Sequence, residues 1–557
     1  MPIDEALVEK LLKRIEELEA KASRVDELET RLRHVEAYRA GLVREVNRLK
    51  QHNVVLTDKV RELTARLSQD SSNSSNPPSS DKPWKDRRPT KPIGRSRGGQ
   101  PGHEGKTREP FPPDQVDFTV PVVPETCSNC GRGLCEGDLT GQRLPHQVVE
   151  IPPVVAEVTE YVLHEALCPG CGETTMAPLP EGVPTGCAGV RFQSIVALLT
   201  GRCRISRREA REVVVALFGP KARLSLGTVS AIERRTSAAV KPAYDQALDA
   251  IQNADFVHGD ETSWREANKL AWLWAAVTPK LKVFRIDKRR NREAFRRLLF
   301  AFDGFLVTDR FSVYRIHKIR RRQLCWAHIL RNFRGLEELG GKARSLGVGG
   351  QRIVKAVFRE WYRVRDGEIT RRGLRRRLAP IRLRLKWLLR RHVNNPLQEA
   401  RATAKDLIEY GAALWTFSRV DGIEPTNNAA ERALRKAVLW RKNSFGSASR
   451  GGSLFVERML TVCESLRAQG RSILDFLVET ISAATRQHPV PSLLPQPVPG
   501  CHFERRRLSF RRGCNSKAAD SKVDHKMHPE TRSITTCHGL APDAVIFHRS
   551  PRCSTSM

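Results

Sequence analysis

From Leu28 the apolar positions keep a seven-residue beat through Val35, Leu42, Leu49, Leu56 and Leu63, with Leu32, Val46, Val60 and Leu67 at the companion positions. Such a beat gives one helix a single apolar seam that a second helix must cover, so residues 1–68 are expected to form a coiled coil. Asn53 falls on the inner line of the heptad. A buried amide there pairs with its own copy across the axis and penalises other registers, which favours a parallel homodimer. A long helix folded back on its own chain is the alternative that the period leaves open.

The beat then stops. Residues 69–116, beginning "QDSSNSSNPPSSDKPWKDRRP", offer little to bury and read as a disordered basic linker. Within it "GHEGKT" ends as a phosphate-binding loop ends, with Gly105, Lys106 and Thr107, but Gln100 stands where the first glycine belongs. No apolar strand precedes it, so an ATPase is excluded. Residues 117–180 alternate apolar and polar positions, as in "VEIPPVVAEVTEYVLHEA", which predicts half-buried strands. Two knuckles, "CSNCG" and "CPGCG", bracket this stretch. In each, the two-residue gap turns both thiolates toward one ion, so Cys127, Cys130, Cys168 and Cys171 are expected to hold a structural Zn2+ in a zinc-ribbon-like module. Residues 181–250 predict three helices near 190–202, 206–218 and 226–238, with Gly219-Pro220 ending the second and Ser225 capping the third. They suggest a helix-turn-helix-like helical module, with a plain helical connector as the alternative.

From residue 251 the pattern becomes mixed. In the runs "ADFVHGDE", "KLAWLWAAVTP", "LKVFRID", "GFLVTDRFSVY" and "RRQLCWAHILRNF" strands dominate, with a helix over "NREAFRRLLFAF" between the third and fourth. Residues near 335–425 read as an Arg-rich helical insertion. The expected fold is therefore multidomain α+β, with a mixed sheet carrying helices on its faces over residues 251–495.

Composition narrows the chemistry. Lys and Arg number 96 against 62 Asp and Glu, a formal net charge of +34, so a polyanion is the natural partner and nucleic acid the leading candidate. No apolar run approaches a bilayer's width and no signal peptide is evident, so a cytoplasmic, nucleoid-associated protein with no membrane partner is expected. The cysteines are irregularly spread, which suits metal binding in a reducing compartment better than disulfides.

Against that positive background three acids stand out. Asp260 and Asp309 are placed near the ends of the first and fourth strands of the mixed region, where open sheets build their sites. Glu431 falls in a helix that Asn427 or Asn428 can cap. Three acids in one cleft repel unless a cation neutralises them, and hard oxygen donors favour Mg2+ or Mn2+. Glu424 lies close enough to compete with Glu431. Glu261 is expected on the opposite sheet face, as a solvated neighbour or a support to its partner.

The segments "GGQPGHEGKTR", "HGDETSWR", "TDRFSVY", "CWAHILRNF", "NNAAERALR" and "RKNSFGS" together resemble the insertion sequence 66 family of transposases, over roughly residues 1–495. The resemblance implies a ribonuclease H-like α/β catalytic core, interrupted by the helical insertion. It also implies a DDE active site in which Asp260, Asp309 and Glu431 are catalytic metal ligands. Its substrate would be double-stranded DNA carrying the element's terminal repeats, and accessory proteins of the same element are implied as partners. Arg204, Arg207, Arg208, Arg435, Arg441 and Lys442 are candidate contacts to the DNA backbone, or else a solvated basic face. Cys325 and His328 of "CWAH" suggest packing or active-site support, since one pair does not complete a zinc site. Residues 496–557 depart from the resemblance and read as a disordered tail. The rival to an enzyme is a non-catalytic, zinc-containing DNA-binding regulator on the same fold.

Overall fold

The computed structural model describes residues 5–70, 73–74 and 108–495. Most of the expected linker and the whole of the expected tail lie outside these residues. Helix α1 runs unbroken from Glu5 to Leu67. Its sequence is rich in Leu, Glu, Lys and Arg with no proline, and close ion pairs such as Arg14–Glu17 and Arg48–Glu45 lock successive turns. No residue of α1 is buried, and the seam residues from Leu28 to Leu63 remain about half exposed. Only its end meets the rest of the chain, where Ala65 packs against apolar residues and Arg66 Nη2 lies 3.0 Å from Glu399 Oε1.

The expected strands of residues 117–180 shrink to one hairpin, β1 (Glu165–Leu167) with β2 (Thr174–Met176), across the second knuckle. Residues 148–163 are neither strand nor helix. Pro152 and Pro153 remove two ladder donors there, and alternation without a partner strand makes no sheet.

The next helices follow the predicted signals closely. Helix α2 (Val190–Ala197) continues as a π turn to Cys203. Helix α3 (Arg207–Phe218) starts at a capping box of Ser206 and Glu209 and ends at Gly219, whose φ of 81° suits glycine. Helix α4 (Leu226–Ala239) is capped by Ser225, which accepts from the Thr228 amide, and α5 (Lys241–Gln252) follows directly. Ala188, Val196, Val214, Leu224, Val229 and Ile232 form a small core among them.

A five-stranded mixed sheet lies beyond, built from β3 (Phe256–Glu266), β4 (Lys269–Val277), β5 (Lys282–Asp287), β6 (Phe305–Thr308) and β7 (Arg322–Leu324). Its order is β5-β4-β3-β6-β7, antiparallel through the first three strands and parallel from β3 to β7. Ala267 and Asn268, both with positive φ, make the tight turn between β3 and β4, as the twist of a two-residue hairpin requires. The predicted helix between the third and fourth strands is α6 (Arg292–Leu298), capped by Asn291.

The chain then leaves the sheet through α7 (Trp326–Leu339), α8 (Arg344–Arg365), α9 (Arg371–Arg390) and α10 (Gln398–Glu409), which share a second apolar core. It returns through α11 (Asn428–Ser444), α12 (Arg450–Gln469) and α13 (Ile473–Thr485). Exit and return meet at one point, because the Trp326 amide donates to the Pro425 carbonyl at 2.9 Å.

Both rims of the sheet are covered by the chain itself. Along β5 the amides of Lys282, Phe284 and Ile286 donate to Ser465 Oγ, Thr461 Oγ1 and Glu457 Oε1 of α12, at 3.0, 3.1 and 2.9 Å. Every fourth residue of a helix rises about 6 Å, close to the two-residue repeat of a strand, so the side chains match the free donors in register. At the other rim the Leu324 amide donates to the Ala413 carbonyl, and Gln323 Oε1 accepts from the Phe417 amide.

Candidate active site

Strands β3 and β6 run parallel with Phe256 opposite Phe305, Val257 opposite Leu306 and His258 opposite Val307. Two residues further along that register stand Asp260 and Asp309, each feeling the other's charge. The expectation that Asp260 ends its strand needs correcting: β3 runs on to Glu266, because β4 pairs it as far as Lys269. What ends near Asp260 is the pairing with β6, and Asp309 follows immediately on β6's last residue, Thr308.

Strand alternation then sorts the neighbours. His258 and Thr262 share a face with Asp260 and meet α11: His258 Nδ1 lies 3.2 Å from Asn427 Oδ1, and Arg441 Nη1 donates to Thr262 Oγ1 at 3.4 Å. Asn427 holds the N-terminal position of α11 but does not cap it with its side chain, contrary to the sequence expectation. Its amide group instead donates to the Gly259 carbonyl at 2.9 Å, and its backbone N–H donates to Cys325 Sγ at 3.2 Å. The helix is thereby pinned to β3 and to the start of α7. Glu431 sits one turn along, its N–H donating to the Asn427 carbonyl.

Glu431 Oε1 lies 3.5 Å from His328 Nδ1, and Oε2 lies 3.6 Å from Arg331 Nη2. His328 belongs to the first turn of α7, whose opening residue Trp326 is fully buried, as a packed helix start requires. The imidazole thus lies against Glu431 and interacts electrostatically with both aspartates. Glu424, the competing acid, is exposed.

Glu261 is not solvated. It is 8% exposed, on the face opposite Asp260's neighbours, where it accepts from Tyr314 Oη and from Arg290 Nε at 2.9 Å. The Arg290 guanidinium is itself held against the rings of Trp272 and Phe311, at 4.6 and 3.9 Å. Nothing in the local sequence signals Arg290 or its pairing with Glu261.

Burial and like charge shape the protonation of this cluster. Burial first, then Glu261 and Asp309, push the Asp260 carboxyl well above its usual range. Burial and Asp309 raise Glu261 to about 7 against the pull of Arg290 and Tyr314. His328 moves the other way: burial opposes its charge, yet Cys325 and Asp309 outweigh burial and carry it to about 9. His258, buried beside Asn427, falls to about 4 and is neutral at pH 7.

Residues 216–453 match the model described as Transposase IS66 family, a span that contains Asp260, Asp309, Glu431, His328 and Asn427. This segment belongs to the IS66 transposase family. Ahead of the IS66 segment, residues 3–109 match a family of unknown function, DUF6444. Two proteins of Sinorhizobium fredii (strain NBRC 101917 / NGR234) are similar to the chain. The uncharacterized protein y4qI is 25% identical over 45% of this chain and 52% of its own length. The uncharacterized protein y4hP is 23% identical over 69% of this chain and 75% of its own length. The chain therefore spans about half the length of the first relative and three quarters of the second.

Of the expected backbone contacts around the IS66 segment, Arg208, Arg435 and Lys442 are exposed. Arg207 is taken up by Glu233, with Nη2 to Oε2 at 2.6 Å, and Arg441 by Ser263 and Thr262 of β3. Arg204 is half-buried in a left-handed conformation with φ of 62°. The cysteine knuckles form twin turns, in which the Gly131 amide returns to the Cys127 carbonyl and the Gly172 amide to the Cys168 carbonyl, each at 2.9 Å. Each pair is drawn together, and backbone N–H groups lower the pKa of Cys127 and Cys168. The two pairs do not meet. Among the described residues, the metal-binding side chains that do gather in a group of three are Cys325, His328 and Glu431.

Proposed function

We propose that this protein is a DNA transposase that cleaves and joins phosphodiesters at the ends of an insertion sequence, with Asp260, Asp309 and Glu431 as its catalytic acids. The parallel register that brings Asp260 and Asp309 side by side carries the reading, and the mixed sheet with α11 across it accords with a ribonuclease H-like core. The donor set fits Mg2+ or Mn2+. A buried carboxyl such as Asp260, whose proton affinity is raised by burial, Glu261 and Asp309, is the kind of group a hard cation relieves, and Glu431 belongs to α11, which packs on Asp260's face of β3. When bound, such ions supply an activated water or 3′-hydroxyl and stabilise the leaving oxygen.

The chain's own residues do the positioning. Asn427 fixes the approach of α11, His328 and Arg331 hold the Glu431 carboxylate, and Arg290 with Tyr314 holds Glu261 behind Asp260. Arg208, Arg435 and Lys442 are free to meet phosphates, so affinity for DNA falls steeply with added salt. The cysteine knuckles fit Zn2+ as two preformed pairs, whose closing on one ion would staple residues 117–180. Homodimerisation through the seam of α1 belongs to the same reading.

The test is cleavage and strand transfer by the purified chain on linear DNA carrying the element's ends, in Mg2+. Asp260→Asn and Asp309→Asn are each expected to lower the rate at least about 1,000-fold, or about 4 kcal/mol of transition-state stabilisation. Full activity in Asp260→Asn would overturn the assignment. Tight DNA binding without Mg2+ binding or cleavage would favour the regulator instead.

A further inference from the structure

We infer that Cys325, His328 and Glu431 form a second metal site, distinct in chemistry from the aspartate pair and selective for zinc-class ions. Its occupation holds Glu431 away from catalysis. The three side chains each offer one donor atom, and these atoms lie within 4.8 Å of one another. They come from two helix starts that are fastened together, by the Trp326 amide on the Pro425 carbonyl and by the Asn427 amide on Cys325 Sγ. The cluster is therefore built into the fold.

Two observations point to a ligand. His328 Nδ1 and Glu431 Oε1 are buried, make no hydrogen bond and face each other at 3.5 Å. A buried polar atom that lacks a hydrogen bond costs stability, and two of them, paired only at 3.5 Å and beside a sulfur, are satisfied together by one cation. The second is the sulfur itself. Cys325 is 1% exposed and its sulfur already accepts one backbone N–H, the kind of surrounding contact that orients a metal-bound thiolate.

The donor set selects the ion. One sulfur, one imidazole nitrogen and one carboxylate oxygen suit Zn2+, which accepts three protein ligands and leaves a fourth position for water. Mg2+ demands oxygen donors and near-octahedral geometry, so it prefers the aspartates. Glu431 is common to both sites, and in this structure its Oε1 is turned toward His328. With Zn2+ bound there, the carboxylate stays committed to the ion held by Cys325 and His328, is withheld from an ion on Asp260 and Asp309, and the enzyme is held inactive until the Zn2+ leaves. This consequence for activity rests on the transposase reading; the binding site itself does not.

The experiment uses the full chain, freed of metal and then given one equivalent of Zn2+ for the four knuckle cysteines, titrated with Co2+ as the probe. Thiolate ligation of Co2+ gives an intense near-ultraviolet charge-transfer band. The band is expected in the wild type and in an Asp260→Asn/Asp309→Asn double variant. Apparent affinity should fall by about 100-fold or more in Cys325→Ala and by about tenfold in Glu431→Gln, which keeps the side chain's shape. Circular dichroism confirms that each variant folds. Absence of the band in the wild type, or its survival unchanged in both Cys325→Ala and Glu431→Gln, overturns the inference. In the cleavage assay, added Zn2+ should inhibit the wild type at least about tenfold more than Cys325→Ala. Equal inhibition overturns the regulatory role. Cleavage in Mg2+ without a cobalt band sinks this inference and leaves the transposase standing; a cobalt band without cleavage does the reverse.

Discussion

At the scale of single residues, the cluster around Asp260 stores protons that the unfolded chain would release. Glu261 titrates near 7 in the fold against an ordinary 4.5, and Asp260 is raised as well. A carboxyl with a raised pKa contributes its full stability below the unfolded value and loses it as pH climbs through the folded one. In metal-free buffer, thermal stability should therefore decline between about pH 5 and pH 7.5, by roughly 3 kcal/mol for a shift of Glu261's size. Glu261→Gln should flatten that slope in a series of melting curves, and Mg2+ should restore stability at pH 8 but not at pH 5, where the carboxyls keep their protons. Asn427→Ala should cost about 1–3 kcal/mol, because the buried Gly259 carbonyl loses its donor, and should also cut cleavage by loosening α11. Chemical denaturation and the cleavage assay read the two effects separately. The roles of these residues were unequally legible. Asp260 and Asp309 announce themselves as acids after apolar runs, whereas Asn427 looks like a cap and works as a clamp. The difference lies in a partner, Gly259, that is distant in sequence.

At the scale of elements, the sequence signals that survived are those with a local cause. Ser225 caps the helix that follows it, and Gly219 ends the helix before it. Those that failed needed a partner: residues 148–163 alternate like a strand but meet no ladder, while β7 is a strand of three residues that exists because β6 pairs it. The contact between α7 and α8 was likewise invisible from pattern alone. A Cβ on Gly347 would come within 2.7 Å of the Phe333 carbonyl oxygen, so glycine there sets how closely the two helices approach. Gly347→Ala is expected to destabilise the helical block by about 1–3 kcal/mol in urea denaturation, with the separation of α7 and α8 as its cause.

At the scale of the whole molecule, no helix among the described residues is long and apolar enough to cross a membrane. The exposed seam of α1 is the part of the chain that most needs a partner. Light scattering should report a dimer for the full chain and a monomer once residues 1–67 are removed, while Leu42→Pro should dissociate the dimer and leave the melting of the sheet core unchanged. The sealed rims of that sheet sharpen the expectation. With α12 answering the donors of β5 and the helical block answering β7, neither border presents a strand that another molecule can extend. Growth by strand addition, the ordinary route from a bare border to fibrils, is closed to this core. Any multimer of this core must be fastened by side chains and helices, by parts that can separate and rejoin without unzipping the sheet.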